Sequence, residues 1–133
     1  MHARGNFEVK MVPLEPYNHD ADAGLGRMSI DKTFQGDLQA ISKGEMLSAG
    51  SPQTGSAGYV ALERVTGTLN GRRGSFALQH NATMHRGGYS LNVIVVPGSG
   101  AGELEGLSGT MEIIVVDGEH SYEFEYECLE HAR

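Results

Sequence analysis

The sequence predicts an all-β fold: a single eight-stranded antiparallel up-and-down β-barrel spanning residues 1–133. Three observations carry the prediction. Several segments alternate apolar and polar residues with a period of two, the signature of a strand with one face buried. Glycine, 19 of 133 residues, punctuates the chain at short intervals, at about twice the usual share. Asn70-Gly71 and Asp117-Gly118, the dipeptides that best fit the tight turns of β-hairpins, each lie between two such segments.

The first strand is Phe7 to Val12, with Phe7, Val9 and Met11 on one face; Pro13 and Pro16 are expected to end it, and a polar loop follows from Tyr17 to Gly24. Met28, Ile30 and Phe34 alternate with Ser29, Asp31 and Thr33 in the second. A tight turn at Gln35-Gly36-Asp37 leads into a third that ends near Gly50, although Leu38, Ile41 and Glu45 would also suit a short helix. After a loop from Gly50 to Gly58, strands Tyr59 to Leu69 and Gly74 to His85 flank Asn70-Gly71. Tyr89 to Val96 forms the next strand, closed by Pro97, and Gly98 to Gly106 reads as another glycine-rich loop. Leu107 to Val116 and His120 to Glu127 complete the set around Asp117-Gly118. Eight strands joined mostly by hairpins are best accommodated by closure into a barrel, which leaves no exposed edge. A barrel of this size is filled by its own side chains or holds one small ligand.

The Asn70-Gly71 hairpin fixes which residues face inward. A two- or four-residue turn there puts Tyr59, Ala61, Glu63 and Val65 on one face with Phe76, Leu78, His80, Ala82 and Met84. The opposite face of the second strand, Ser75-Ala77-Gln79-Asn81-Thr83-His85, belongs toward solvent or a partner. Glu63 and His80 are then interior, and a four-residue turn would place them directly opposite each other. A buried carboxylate is costly unless paired or hydrogen-bonded. Such a pair is a candidate for acid/base chemistry, with Glu63 as acid/base and His80 as its orienter; the alternative is that the two groups simply satisfy each other. Tyr122 and Tyr126 alternate with glutamates on the last strand and face inward with Phe124. Their hydroxyls could hold a polar handle on an apolar ligand or be satisfied within the core. Lys32 shares a face with Ile30 and Phe34, either as an interior cation or snorkelling to the rim. The candidate ligand-binding set is therefore Lys32, Phe34, Tyr59, Phe76, Met84, Tyr122 and Tyr126.

Composition excludes other classes. Ten basic against seventeen acidic residues argue against a nucleic-acid partner. No apolar run approaches the roughly 18 residues of a spanning helix, so no membrane partner is expected; with no apolar signal core at the N-terminus, a cytoplasmic location is expected. The single cysteine, Cys128, excludes an intramolecular disulfide and a cysteine-rich zinc module. His80 and His85 fall on opposite faces, His120 and His131 stand alone, and His19, Asp20 and Asp22 read as a solvated loop cluster, so neither a metal nor a cofactor is expected. Gly98-Ser99-Gly100-Ala101-Gly102 lacks the following Lys-Ser/Thr of a phosphate loop. Val60, Leu62 and Ala77 on the outer face, with Val93 to Val96 apolar on both sides, point to a homo-oligomer, dimer or trimer.

Seven segments together carry a family resemblance: Met28-Ser29-Ile30-Asp31-Lys32-Thr33-Phe34, Gly44-Glu45-Met46-Leu47-Ser48, Gly55-Ser56-Ala57-Gly58-Tyr59-Val60-Ala61, Glu63-Arg64-Val65-Thr66-Gly67-Thr68-Leu69, Gly74-Ser75-Phe76, Leu78-Gln79-His80 and Tyr122-Glu123-Phe124-Glu125-Tyr126. The chain resembles the bacterial domain-of-unknown-function family 3224 over nearly its whole length. That family looks like the allene-oxide-cyclase barrel, similar in shape to lipocalins. The resemblance implies a barrel and a small apolar ligand, and supplies no activity. The expected function is binding of a small hydrophobic molecule inside the barrel. The alternatives are an isomerase or cyclase of the allene-oxide-cyclase type using Glu63 and His80, and a packed barrel that serves only in assembly.

Overall fold

The structure is a computed structural model that describes residues 1–20, 24–51 and 55–128. The strands run in chain order as β1 (His2–Leu14), β2 (Leu25–Gly36), β3 (Leu38–Ser51), β4 (Ser56–Leu69), β5 (Arg72–His85), β6 (Gly88–Val95), β7 (Ala101–Gly102), β8 (Ser108–Val116) and β9 (Glu119–Glu127). All but β7 form a closed antiparallel ring in the order β4-β3-β2-β1-β9-β8-β6-β5, with β5 returning to β4; β7 lies outside the ring, paired with β5 at Gly74 and Ser75. No helix among the described residues is long and apolar enough to cross a membrane.

Several elements differ in extent from the sequence reading. β1 does not stop at Pro13, which pairs with Met28 before the strand ends at Leu14. Because β1 pairs with β9 only from His2 to Phe7, Pro13 has an unpaired side, where its missing N–H costs no ladder bond. β3 is a strand throughout, with no helical turn. The Gly50 to Gly58 segment is mostly hairpin, since Gly50 pairs with Ala57 and Ser51 with Ser56; residues 52–54 lie outside the described residues, as do Asp22 and His131. The glycine-rich segment after Pro97 is more than a connection. It contributes β7, buries Leu104 and Leu107 in the core, and lets the Ser99 hydroxyl accept the Ala77 N–H at 3.0 Å. It closes one end of the barrel. There the Cys128 thiol is buried, its Sγ 3.7 Å from the carbonyl oxygens of Glu103 and Glu105.

The β4–β5 hairpin has a two-residue turn at Asn70 and Gly71, both with positive φ, as the Asn-Gly pair favours. The inward face is the expected one: Ala61, Glu63, Val65, Phe76, Leu78, His80 and Ala82 are all buried. Around the closed end, Phe34 and Tyr122 meet edge to face with centroids 5.7 Å apart, and Phe76, Phe124 and Tyr126 form a stacked row. Each of these large rings contributes roughly 1.5–3 kcal/mol by leaving water. Leu38, Val65, Leu69, Leu78 and Leu104 fill the space between them.

The other half of the barrel is less tightly closed. β6 and β8 share a single ladder pair, Ile94 with Thr110, near the packed end. Farther from that end, their inward residues Leu91 and Ile113 are only partly buried, and Tyr89 and Val115 are exposed.

A candidate site on the floor of an apolar cup

That looser half encloses a cup of about 190 Å³, lined by side chains from every strand of the ring. Val9, Met11, Ile30, Met46, Ala61, Leu91, Ile113 and Val115 make it apolar. Tyr59 and Tyr89 stand toward its mouth with hydroxyl oxygens 3.2 Å apart, and burial pushes the Tyr59 hydroxyl well above the ordinary phenol range.

Four polar residues meet at the floor, and all four are buried: Lys32, Ser42, Glu63 and His80. Inward alternation on β2, β3, β4 and β5 delivers one from each strand. The Glu63 carboxylate is the hub. Lys32 Nζ donates to its Oε2 at 2.8 Å, His80 Nε2 bonds the same oxygen at 2.5 Å, and the Ser42 hydroxyl donates to Oε1 at 2.6 Å. Burial alone would raise the Glu63 pKa. The bond from His80, the charge and bond of Lys32, and the Ser42 hydroxyl outweigh it and hold the acid at about 2. An ionised carboxylate only accepts, so His80 Nε2 carries the shared proton. The Lys32 ammonium also lies 4.9 Å from the Phe7 ring centroid and 5.7 Å from that of Phe34, a favourable place for a cation.

Gly44 makes room for this hub. It pairs with Glu63 across β3–β4, and a Cβ at position 44 would lie 2.6 Å from the Glu63 Cα and 2.7 Å from its Cβ. Glycine here reflects close approach of the two strands.

The sequence candidates divide between two places. Lys32, Tyr59 and His80 line the cup, and Glu63 anchors its floor from behind. Phe34, Phe76, Tyr122 and Tyr126 lie in the packed end. The Tyr122 hydroxyl donates to the Gln35 carbonyl at 2.9 Å and accepts the Leu38 N–H at 2.9 Å, and burial raises its pKa. The Tyr126 hydroxyl accepts from Asn70 Nδ2 at 2.7 Å. Met84, near the end of β5, is 45% exposed and outside the cup lining. Glu63 and His80 do meet, but diagonally: the two-residue turn sets Glu63 opposite Leu78 and Ala61 opposite His80. Sequence reasoning missed Ser42 and Gly44, which the inward period Leu38, Ala40, Ser42, Gly44, Met46 would have found once β3 was accepted as a strand. It also missed His120, which lines the cup with its ring 5.2 Å from Phe7. No group of three or more His, Cys, Asp or Glu side chains among the described residues could hold a metal ion.

A larger hollow of about 560 Å³ lies mainly on the outer faces of β3, β4 and β5, against Leu47, Val60 and Leu62. Its carboxylate, Glu45, is tied to Arg27 at 2.8 Å. His80 borders this hollow too, but Lys32 and His80 meet only in the lining of the inner cup, so the inner cup is the better candidate site.

Fold and site together define a small antiparallel barrel with one packed end and one apolar cup over a buried Lys–Glu–His floor. The chain belongs to the family described as "Protein of unknown function (DUF3224)", which it matches over residues 3–126. It is similar to the crystal structure of a DUF3224-family protein of unknown function from Shewanella oneidensis MR-1, with 50% sequence identity, 98% of each chain covered and a TM-score of 0.91. No curated protein matches it.

Proposed function

We propose that the barrel binds one small, mostly apolar molecule in the inner cup. The observation that carries this reading is a hollow walled by aliphatic side chains whose floor is an ordered ionic hub. A barrel serving only in assembly has no need of such a floor. The cup's volume bounds the ligand: apolar cavities of roughly 150 Å³ accept benzene, and drug-sized ligands occupy roughly 300 Å³ or more. A single ring or a short branched chain fits.

Catalysis of the isomerase or cyclase type is the second reading, favoured by the Lys32 and His80 side chains that reach the cup. In that reading Glu63 is a positioning residue. Its carboxylate is held by three neighbours and stays ionised at neutral pH, so the groups that face a substrate are Lys32 and His80.

We place homo-oligomer formation, dimer or trimer, on the outer face. Leu47 and Val60 pair across β3–β4, and both are about half exposed with Leu62 beside them. Titration with toluene, followed by methyl NMR at Ile30, Met46, Ala61, Leu91 and Ile113, tests the cup. Shifts confined to those methyls are expected; no saturable shift there would overturn the reading. Native mass spectrometry of the purified protein gives the subunit count and shows whether a small molecule leaves on denaturation.

A further inference from the structure

We infer that the cup selects a small organic acid, a molecule with an apolar body and one carboxylate, held head-down between Lys32 and His80 with uptake of one proton by His80. The inference rests on the cup-binding reading and names the chemistry of its ligand.

Lys32 and His80 share one oxygen of Glu63, so their side chains are neighbours on the same floor. Lys32 is 7% exposed, lines the cup, and gives one of its three N–H groups to Glu63. The others are available to an acceptor in the cup. In a neutral His80 ring, the Nε2 proton is committed to Glu63, so Nδ1 is bare. Nδ1 has no partner among the described residues. The His80 side chain lines the cup, and it also borders the outer hollow of β3, β4 and β5. The floor thus offers a charged donor beside an open acceptor.

Charge decides which head group suits it. Lys32 and Glu63 cancel. A carboxylate arriving alone would leave one uncompensated negative charge in an apolar cup, which is strongly unfavourable. A carboxylate arriving with a proton on His80 Nδ1 leaves the floor neutral. The new Nδ1–H then donates to one carboxylate oxygen while Lys32 donates to the other, both charge-assisted bonds. No bond other than the N–H forms, and the proton comes from solvent. The charged and titratable groups around His80 are Glu63 on β4, Lys32 on β2, Tyr59 and Tyr89 toward the mouth, and His120 from β9 among the lining residues. Glu45 lies on the outer face with Arg27. None of the other groups brings a second carboxylate into the cup.

The experiment compares benzoate with toluene, probes of one shape with and without the acid. Calorimetry near pH 8 in buffers of different ionisation enthalpy measures proton uptake directly. The expected result is benzoate binding at least about tenfold tighter than toluene, with close to one proton taken up per benzoate. The Lys32→Met/Glu63→Gln double variant removes both charges together, so no unpaired ion is left buried. It should lose that preference, benzoate then binding no tighter than toluene does. Toluene binding without benzoate binding, or benzoate binding with no proton uptake, would overturn the inference and leave the cup reading standing. Binding of neither probe would overturn both.

Discussion

Acidification should release the Glu63 hub in a defined window. The carboxyl ordinarily titrates at 4.5 and is held at about 2 in the fold, a depression worth roughly 3 kcal/mol at 1.36 kcal/mol per unit. The folded pKa is the lower one, so the stabilisation is complete above pH 4.5 and is lost as pH falls through 4.5 toward 2. Glu63→Gln removes the charge and leaves Lys32 buried with a neutral amide, whose one oxygen replaces a carboxylate serving three donors. Breaking a buried pair from one side costs about 3–5 kcal/mol. Urea unfolding of wild type and variant at a series of pH values separates the two effects. At pH 7 the variant should be less stable by about that amount, and between pH 5 and 2 it should lose roughly 3 kcal/mol less than wild type does. The Lys32→Met/Glu63→Gln double variant should regain most of the loss at pH 7, because no charge is left without a partner. If Glu63→Gln retained the wild-type acid sensitivity, the carboxylate would not be held low by the hub. If the double variant were as unstable as Glu63→Gln, the unpaired lysine would not be the cause.

Other substitutions test the surrounding geometry. Gly44→Ala places a methyl within 2.7 Å of Glu63 backbone and Cβ atoms, so thermal melting should show a loss of about 1–3 kcal/mol or more, with the floor displaced. Tyr122→Phe leaves the Leu38 N–H and Gln35 carbonyl without their shared hydroxyl; a loss of about 1–3 kcal/mol in urea unfolding is expected, with toluene binding unchanged. Leu62→Glu puts a charge on the apolar outer face proposed to join copies of the chain; if that face is the interface, the sedimentation coefficient should fall to that of the monomer with the barrel still folded.

The barrel was legible because its cause is local. Period two along β1, β2, β4, β5, β8 and β9, and Asn-Gly or Asp-Gly at two turns, fix strand, face and hairpin without long-range information. Strand ends were less legible, because pairing extends past residues that look like stops. Pro13 is tolerated where β1 has no ladder partner on one side, and Gly50 and Ser51 extend the ladder to Ala57 and Ser56. The segment after Pro97 looked like a connection because glycine recurs through it and Leu104 stands in no strand period, while Leu107, read as the start of the next strand, is buried with it. They are inside because the loop folds over an end of the barrel that the sequence does not mark.

The site was half legible for a related reason. Alternation told that Glu63 and His80 share an interior, and it put Lys32 on an inward face. It could not say how deep along the barrel each lies, and depth decides whether an inward residue lines a cup or a core. Tyr122, Tyr126, Phe34 and Phe76 point inward as Tyr59 does, yet they sit where aromatic rings and the Pro97–Leu107 segment fill the section. Tyr59 and His80 sit where smaller side chains and a single β6–β8 ladder pair leave it open. Depth depends on the stagger between strands, which a single chain's period does not contain. It also explains why the partners of Glu63 come from β2, β3 and β5 at once. Four strands reach one level of the barrel there, and Gly44, the one inward residue of that group without a side chain, allows the carboxylate to occupy their meeting point.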